Sequence, residues 1–150
     1  MKKEDQLVSL ELSKKIDKLK FNQDSNFYWQ KLIKGKSAKW ELVSDMDGKA
    51  LKNALIKNYV EKQYRAYSAV ELGEILPFNI EGIKSKPLGG YGFSQHIYTP
   101  NGIKKWGVSY CDFKGELINS KDDSSTEFIE ISEADARAKL IIYLKENNLI

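Results

Sequence analysis

The chain has 150 residues and a formal net charge of +3, with 41% hydrophobic and 30% charged residues, a globular balance that excludes a disordered or fibrous chain. A single cysteine, Cys111, excludes an internal disulfide and points to a reducing compartment, while the charged start MKKEDQLVSLELSKK lacks the apolar stretch of a signal peptide. With no run of 18 apolar residues, the expectation is a soluble cytoplasmic protein with no membrane partner, folded as a single domain over residues 1–150.

The charge is unevenly spread. Residues 1–67 carry 15 basic and 9 acidic groups, whereas residues 112–135 carry 2 basic and 8 acidic. Only Arg65 and Arg137 are arginines among the 24 basic residues. Abundant Lys, Asn and Ile together suggest an AT-rich genome more readily than a selected binding surface.

Leu7, Leu10, Leu12, Ile16 and Leu19 recur at helical spacing and predict a first helix from Asp5 to about Lys20. Lys14, Lys15 and Lys18 fill its other side, and Asn22 suits a stop. The runs NFYWQKLI (26–33) and AKWELVS (38–44) are rich in aromatic and β-branched residues. The residues Lys34, Gly35, Lys36 and Ser37 between them have turn chemistry, so a hairpin is predicted. Within residues 45–65 the stretch GKALKNALIK reads as a short helix with Leu51, Leu55 and Ile56 inward.

YSAVELGEILP (67–77) is a marked helix. Ser68 with Glu71 three residues on forms a capping box, and Val70, Leu72, Ile75 and Leu76 give an apolar side. Pro77 ends it. Gly73 inside this helix costs up to about 1 kcal/mol relative to alanine, which suggests that something approaches closely there.

LGGYGFSQHIYT (88–99) and KKWGVSYCDF (104–113) form a second strand pair through Pro100-Asn101-Gly102. A two-residue Asn101-Gly102 turn sets Ile97 opposite Trp106 and Phe93 opposite Tyr110, but leaves Pro100 without the N–H its position should donate. A three-residue turn sets His96 opposite Trp106 instead. The first register is favoured because it aligns the bulky side chains. GELIN (115–119) reads as a third strand, SKDDSSTE (120–127) as a polar loop and FIEI (128–131) as a short strand or the approach to the last helix. That helix is SEADARAKLIIYLKENNLI, capped by Ser132 with Glu133 and Asp135 at the positive end of its dipole. Wound at about 100° per residue, its aliphatics cover roughly 200° of surface, so it is expected to pack into the core. The fold class is therefore α+β, with antiparallel β-hairpins forming a sheet packed against three or four helices.

Several catalytic and metal chemistries fail on residue count. In the favoured register Cys111 and His96 stand four residues apart along the sheet, roughly 13 Å at ~3.3 Å per residue, so they form no nucleophile–base pair. One His and one Cys make no closed zinc site. DMDG (45–48) is no calcium loop, because aligning its glycine puts Val43 and Ala54 at ligand positions. GGYG (89–92) has no Walker lysine and precedes a strand. No catalytic, metal or cofactor residues are assigned, and no cofactor is expected.

Two groups of residues remain as candidates. Ten lysines fall within the first 40 residues, interleaved with aromatics. Tyr28, Trp29, Lys31, Lys36 and Trp40 form a candidate interaction surface for a protein partner or, through lysine–phosphate and aromatic–base contacts, for nucleic acid. Scarce arginine and a pI of 8.8 argue against strong nucleic-acid binding. His96, the chain's only histidine, lies on a strand face with Ser94 and Tyr98. With Tyr98, Trp106 and Tyr110 it is a candidate small-molecule or hydrolytic pocket.

The segments LVSLELSKKIDKLKFNQDSNFYW, YSAVELGEILP and ADARAKLIIYLKENNLI, in that order, resemble a group of small proteins encoded by phages, prophages and other mobile elements of bacteria, especially Bacteroidetes. The likeness covers the three helices, about a third of the chain. Its motifs are structural, so no functional residue is carried over. The resemblance implies a non-catalytic accessory or interaction protein of a mobile element in the cytoplasm of a bacterial host.

Overall fold

The computed structural model describes residues 6–21, 23–34, 37–44, 60–80, 90–112, 117–118 and 126–150. The chain divides into two compact units, Met1–Ser68 and Ala69–Ile150, each built on its own antiparallel sheet. The class is α+β, with helices packed on sheets.

In the first unit, helix α1 spans Leu10–Lys18 and strands β1 (Phe27–Lys34), β2 (Ser37–Ser44) and β3 (Val60–Arg65) form a sheet in the order β2-β1-β3. The predicted hairpin is present, with Phe27 opposite Ser44 and Lys34 opposite Ser37. The helix begins later than its apolar spacing suggests. Leu7 and Val8 are extended instead: Leu7 bridges Ser68, and the Val8 N–H donates to the Tyr67 carbonyl at 2.8 Å. Leu7, Val8, Leu12 and Ile16 are buried, joining Tyr64, Ala66 and Tyr67 in the core. The helix ends where Lys20 takes a left-handed conformation, φ 54°. Asn22 and the segment predicted as a helix within 48–57 lie outside the described residues, and the sequence reading did not anticipate β3.

The second unit contains α2 (Ala69–Ile75), β4 (Asn79–Ile80), β5 (Tyr91–Tyr98), β6 (Lys105–Cys111), β7 (Phe128–Glu130) and α3 (Glu133–Glu146). Its sheet runs β4-β5-β6-β7. The β5–β6 register is the favoured one: Phe93 faces Tyr110, Gln95 faces Val108 and Ile97 faces Trp106. Asn101 (φ 52°) and Gly102 (φ 76°) are both left-handed, and the Ile103 N–H donates to the Pro100 carbonyl at 3.0 Å. Positive φ at both central residues is the hairpin turn that Asn-Gly favours. Pro100 has no N–H for the reciprocal bond, and the strand ladder begins only at Tyr98 and Lys105. Gly90, at φ 73°, turns the chain into β5. From the stretch predicted as a strand at 115–119, Leu117 bridges Cys111 and the Ile118 N–H reaches the Tyr110 carbonyl at 2.8 Å. FIEI supplies β7.

Helix α3 is capped as its sequence indicates: Ser132 Oγ accepts from the Asp135 N–H at 3.0 Å. It buries Ala134, Ala136, Ala138, Leu140, Ile141, Ile142 and Leu144, and packs on β6, β7 and α2. At about 1.5–3 kcal/mol per fully buried large aliphatic, this helix is a principal source of stability for its unit. Lys139 of α3 pairs with Glu130 of β7. Leu72 and Leu76 of the α2 segment are buried as expected, but Val70 is turned outward, 72% exposed. Close approach at Gly73 is realised by Arg137, whose Nη2 also contacts Glu133 Oε1 at 2.6 Å and Gln95 Oε1 at 2.7 Å.

Candidate functional site

Alternation along β1 separates its side chains. Trp29 and Lys31 lie on one face, Tyr28 and Gln30 on the other. Cross-strand pairing then places Trp40 of β2 and Lys62 of β3 on either side of Lys31, and Leu42 and Tyr64 on either side of Trp29. Trp40 and Tyr64 reach across β1 and stack, with ring centroids 5.5 Å apart and planes at 29°. Lys14 and Lys18 lie one helical turn apart on α1. Lys14 Nζ sits 5.5 Å from the centre of the Trp40 ring, and Lys62 Nζ 5.3 Å from that of Tyr64.

The result is an open groove of about 580 Å³ lined by Lys14, Asp17, Lys18, Lys31, Trp40, Lys62 and Tyr64. Its lining carries four lysines and one aspartate, and Lys14 also pairs with Glu11 Oε1 at 3.3 Å. Tyr64 is buried, while Trp40 is partly buried. Lys31 and Lys62 occupy directly opposed positions on β1 and β3.

Of the residues singled out in the sequence, the structure brings Lys31 and Trp40 into this groove. Trp29 shares their face, but its indole N–H donates to the Val8 carbonyl at 2.9 Å and anchors the chain before α1. Tyr28 is on the opposite face, and Lys36 lies outside the described residues. The sequence reading missed Lys14, Asp17, Lys18, Lys62 and Tyr64 as partners of Trp40. The i,i+4 spacing of Lys14 and Lys18 was visible, but nothing local indicated which sheet face they would border.

Comparison with known proteins gives no match. No family model fits the sequence, and neither a curated protein nor a solved structure is significantly similar to it.

The second candidate, around His96, splits in two. Trp106 and Tyr110 belong to the face that carries Phe93, Gln95, Ile97 and Val108, whereas His96 and Tyr98 belong to the other. The four therefore border no common pocket. Tyr110 is fully buried, edge-on to Phe93, and donates its hydroxyl to the Pro77 carbonyl. Burial raises its phenol far above the usual tyrosine range. Trp106 lies under Lys104, whose Nζ is 4.3 Å from the ring centre.

His96 and Tyr98 instead meet Glu127, which the sequence reading left in a polar loop. Tyr98 donates to Glu127 Oε1 at 2.7 Å, and His96 Nε2 contacts both that oxygen and the Tyr98 hydroxyl. The hydrogen bond to Glu127, then burial and the carboxylate charge, raise the Tyr98 phenol above its ordinary value. Gly107, opposite His96 on β6, gives the three side chains room to lean together. Among the described residues, no group of three His, Cys, Asp or Glu side chains gathers in one place; this cluster has two of them and a phenol.

Proposed function

We propose that the protein is a non-catalytic binding module that holds single-stranded nucleic acid in the groove of its N-terminal unit. The observation that carries this reading is the groove that gathers Lys14, Lys18, Lys31 and Lys62 around Trp40. Lysines from α1, β1 and β3 line one groove, and their ammonium groups attract a phosphate backbone. Trp40, stacked on Tyr64, is the aromatic group that a base in the groove would contact. The groove lysines act as point charges without the planar fork that arginine uses to read base edges, so binding is sequence-tolerant.

A hydrolytic role is less well supported. The His96 imidazole engages a phenol and a carboxylate, and Cys111 stands four residues along the strand pair. An accessory role in a bacterial mobile element fits both the resemblance of the helical segments and a sequence-tolerant binder.

Fluorescence anisotropy of a labelled oligonucleotide, titrated across salt, tests the proposal. Counterion release of about 0.7 per phosphate contact on single strands predicts a log–log salt slope between roughly −2 and −3 when the four lysines engage. Absence of binding at about 50 mM salt, or affinity indifferent to salt, removes the reading.

A further inference from the structure

We propose that β2 is a dimerisation edge: two copies of this chain join their β2 strands antiparallel, about a two-fold axis at Trp40. The proposal is independent of what the groove binds. β2 is eight residues long, Ser37–Ser44, and it stands at the end of the order β2-β1-β3. Among the described residues, no strand pairs with its outer side. From Lys39 to Ser44 no residue is buried: Lys39 and Ser44 are exposed and the four between them partly so. An edge of this length offers a row of backbone donors and acceptors that a second strand satisfies.

The order of charges along the strand selects a second copy as that partner. With the axis at Trp40, Lys39 lies opposite the second copy's Glu41, and Glu41 opposite its Lys39. Opposite charges at facing positions of an antiparallel pair attract. An axis at Lys39 or at Glu41 sets that charge against itself. An axis between residues 39 and 40, or 40 and 41, sets Trp40 against a charged residue. Within its own sheet Lys39 is registered against Leu32 and Glu41 against Gln30, so neither faces a charge directly across. Glu41 also interacts within its own chain, and a carboxylate with two oxygens accommodates both partners. Residues opposed in this way share a face, so both Trp40 side chains lie on the same side of the joined sheet. Each Trp40 ring reaches over its own β1 to Tyr64, away from the axis, and both grooves keep their lining.

Sedimentation of the full-length chain without oligonucleotide, at about 50 mM salt where charge pairs are weakly screened, tests the proposal. Expected is a concentration-dependent shift from 17.2 kDa to twice that mass. Lys39→Glu alone and Glu41→Lys alone each set like charges opposite one another, and each weakens self-association by at least about tenfold. Mixed together, these two variants restore both pairs and form a heterodimer. The double exchange Lys39→Glu with Glu41→Lys pairs with itself but not with wild type, and it decides the matter should a single variant fail to fold. A wild type that stays monomeric up to about 1 mM overturns the proposal. So does a dimer that the single exchanges leave intact, or a doubly exchanged chain that pairs with wild type as readily as with itself.

Discussion

Gly73 of α2 and Arg137 of α3 are in direct contact: a β-carbon on Gly73 would lie 2.2 Å from Arg137 Nη1. Its Nη2 contacts both Glu133 and Gln95, and the guanidinium lies 5.5 Å from the centre of the Phe93 ring. It joins two helices and a strand, which explains a glycine that helix propensity alone disfavours.

Gly73→Ala therefore moves a pinned arginine. In the wild-type background it is expected to destabilise the protein by about 1–2 kcal/mol, because lost charge-assisted bonds outweigh the propensity gain of about 1 kcal/mol. In an Arg137→Ala background the same change is expected to stabilise by up to about 1 kcal/mol. A double-mutant cycle by urea denaturation measures the coupling, and additivity of the two changes contradicts the contact.

Gly107→Ala places a methyl group among His96, Tyr98 and Glu127. Overpacking of this kind costs about 1–3 kcal/mol. Thermal unfolding reads the loss.

Alkaline pH should weaken the fold through Tyr110 and Tyr143, whose phenols burial holds above their usual value. A raised folded-state pKa means the contribution is complete below the unfolded value near 10 and is lost as pH rises beyond it. Each such tyrosine adds a slope of up to about 1.4 kcal/mol per pH unit in that window. Tyr110→Phe loses the hydrogen bond to the Pro77 carbonyl and is expected to be about 1 kcal/mol less stable at neutral pH. Its decline above pH ~10 should nevertheless be shallower. Parallel wild-type and variant curves in denaturant between neutral and strongly alkaline pH exclude the assignment.

The groove variants separate binding from folding. Trp40→Ala should weaken oligonucleotide binding by roughly 1–3 kcal/mol, the value of one stacked base. Trp29→Ala should instead reduce stability, since its indole holds the Val8 carbonyl. Lys31→Gln combined with Lys62→Gln should reduce the magnitude of the salt slope by about 1.4. Anisotropy and unfolding measured on the same samples check all three.

Local chemistry was legible wherever a few neighbouring residues decide the outcome. Ser132 capping α3, Pro77 after α2, the FYW hairpin and the Asn101-Gly102 turn all depend on backbone geometry within a few residues. Once that turn was chosen, it set the β5–β6 register and hence the faces of His96 and Cys111. The breadth of the apolar surface of α3 likewise announced burial before any partner was known.

Tertiary structure alone decided what meets across distance in the chain. Leu7 and Val8 carry a helical spacing, yet extended pairing beside Tyr67 and Ser68 claims their backbone, because a hydrogen bond from sixty residues away leaves no trace in local periodicity. Lys62 became a neighbour of Lys31 only when β3 joined β1, and Glu127 joined His96 only when β7 aligned with β6. Composition and spacing fixed helices, turns and strand faces through short-range sterics and hydrogen bonding. The groove and the His96 cluster arose from strand order, which depends on long-range pairing that no single segment encodes.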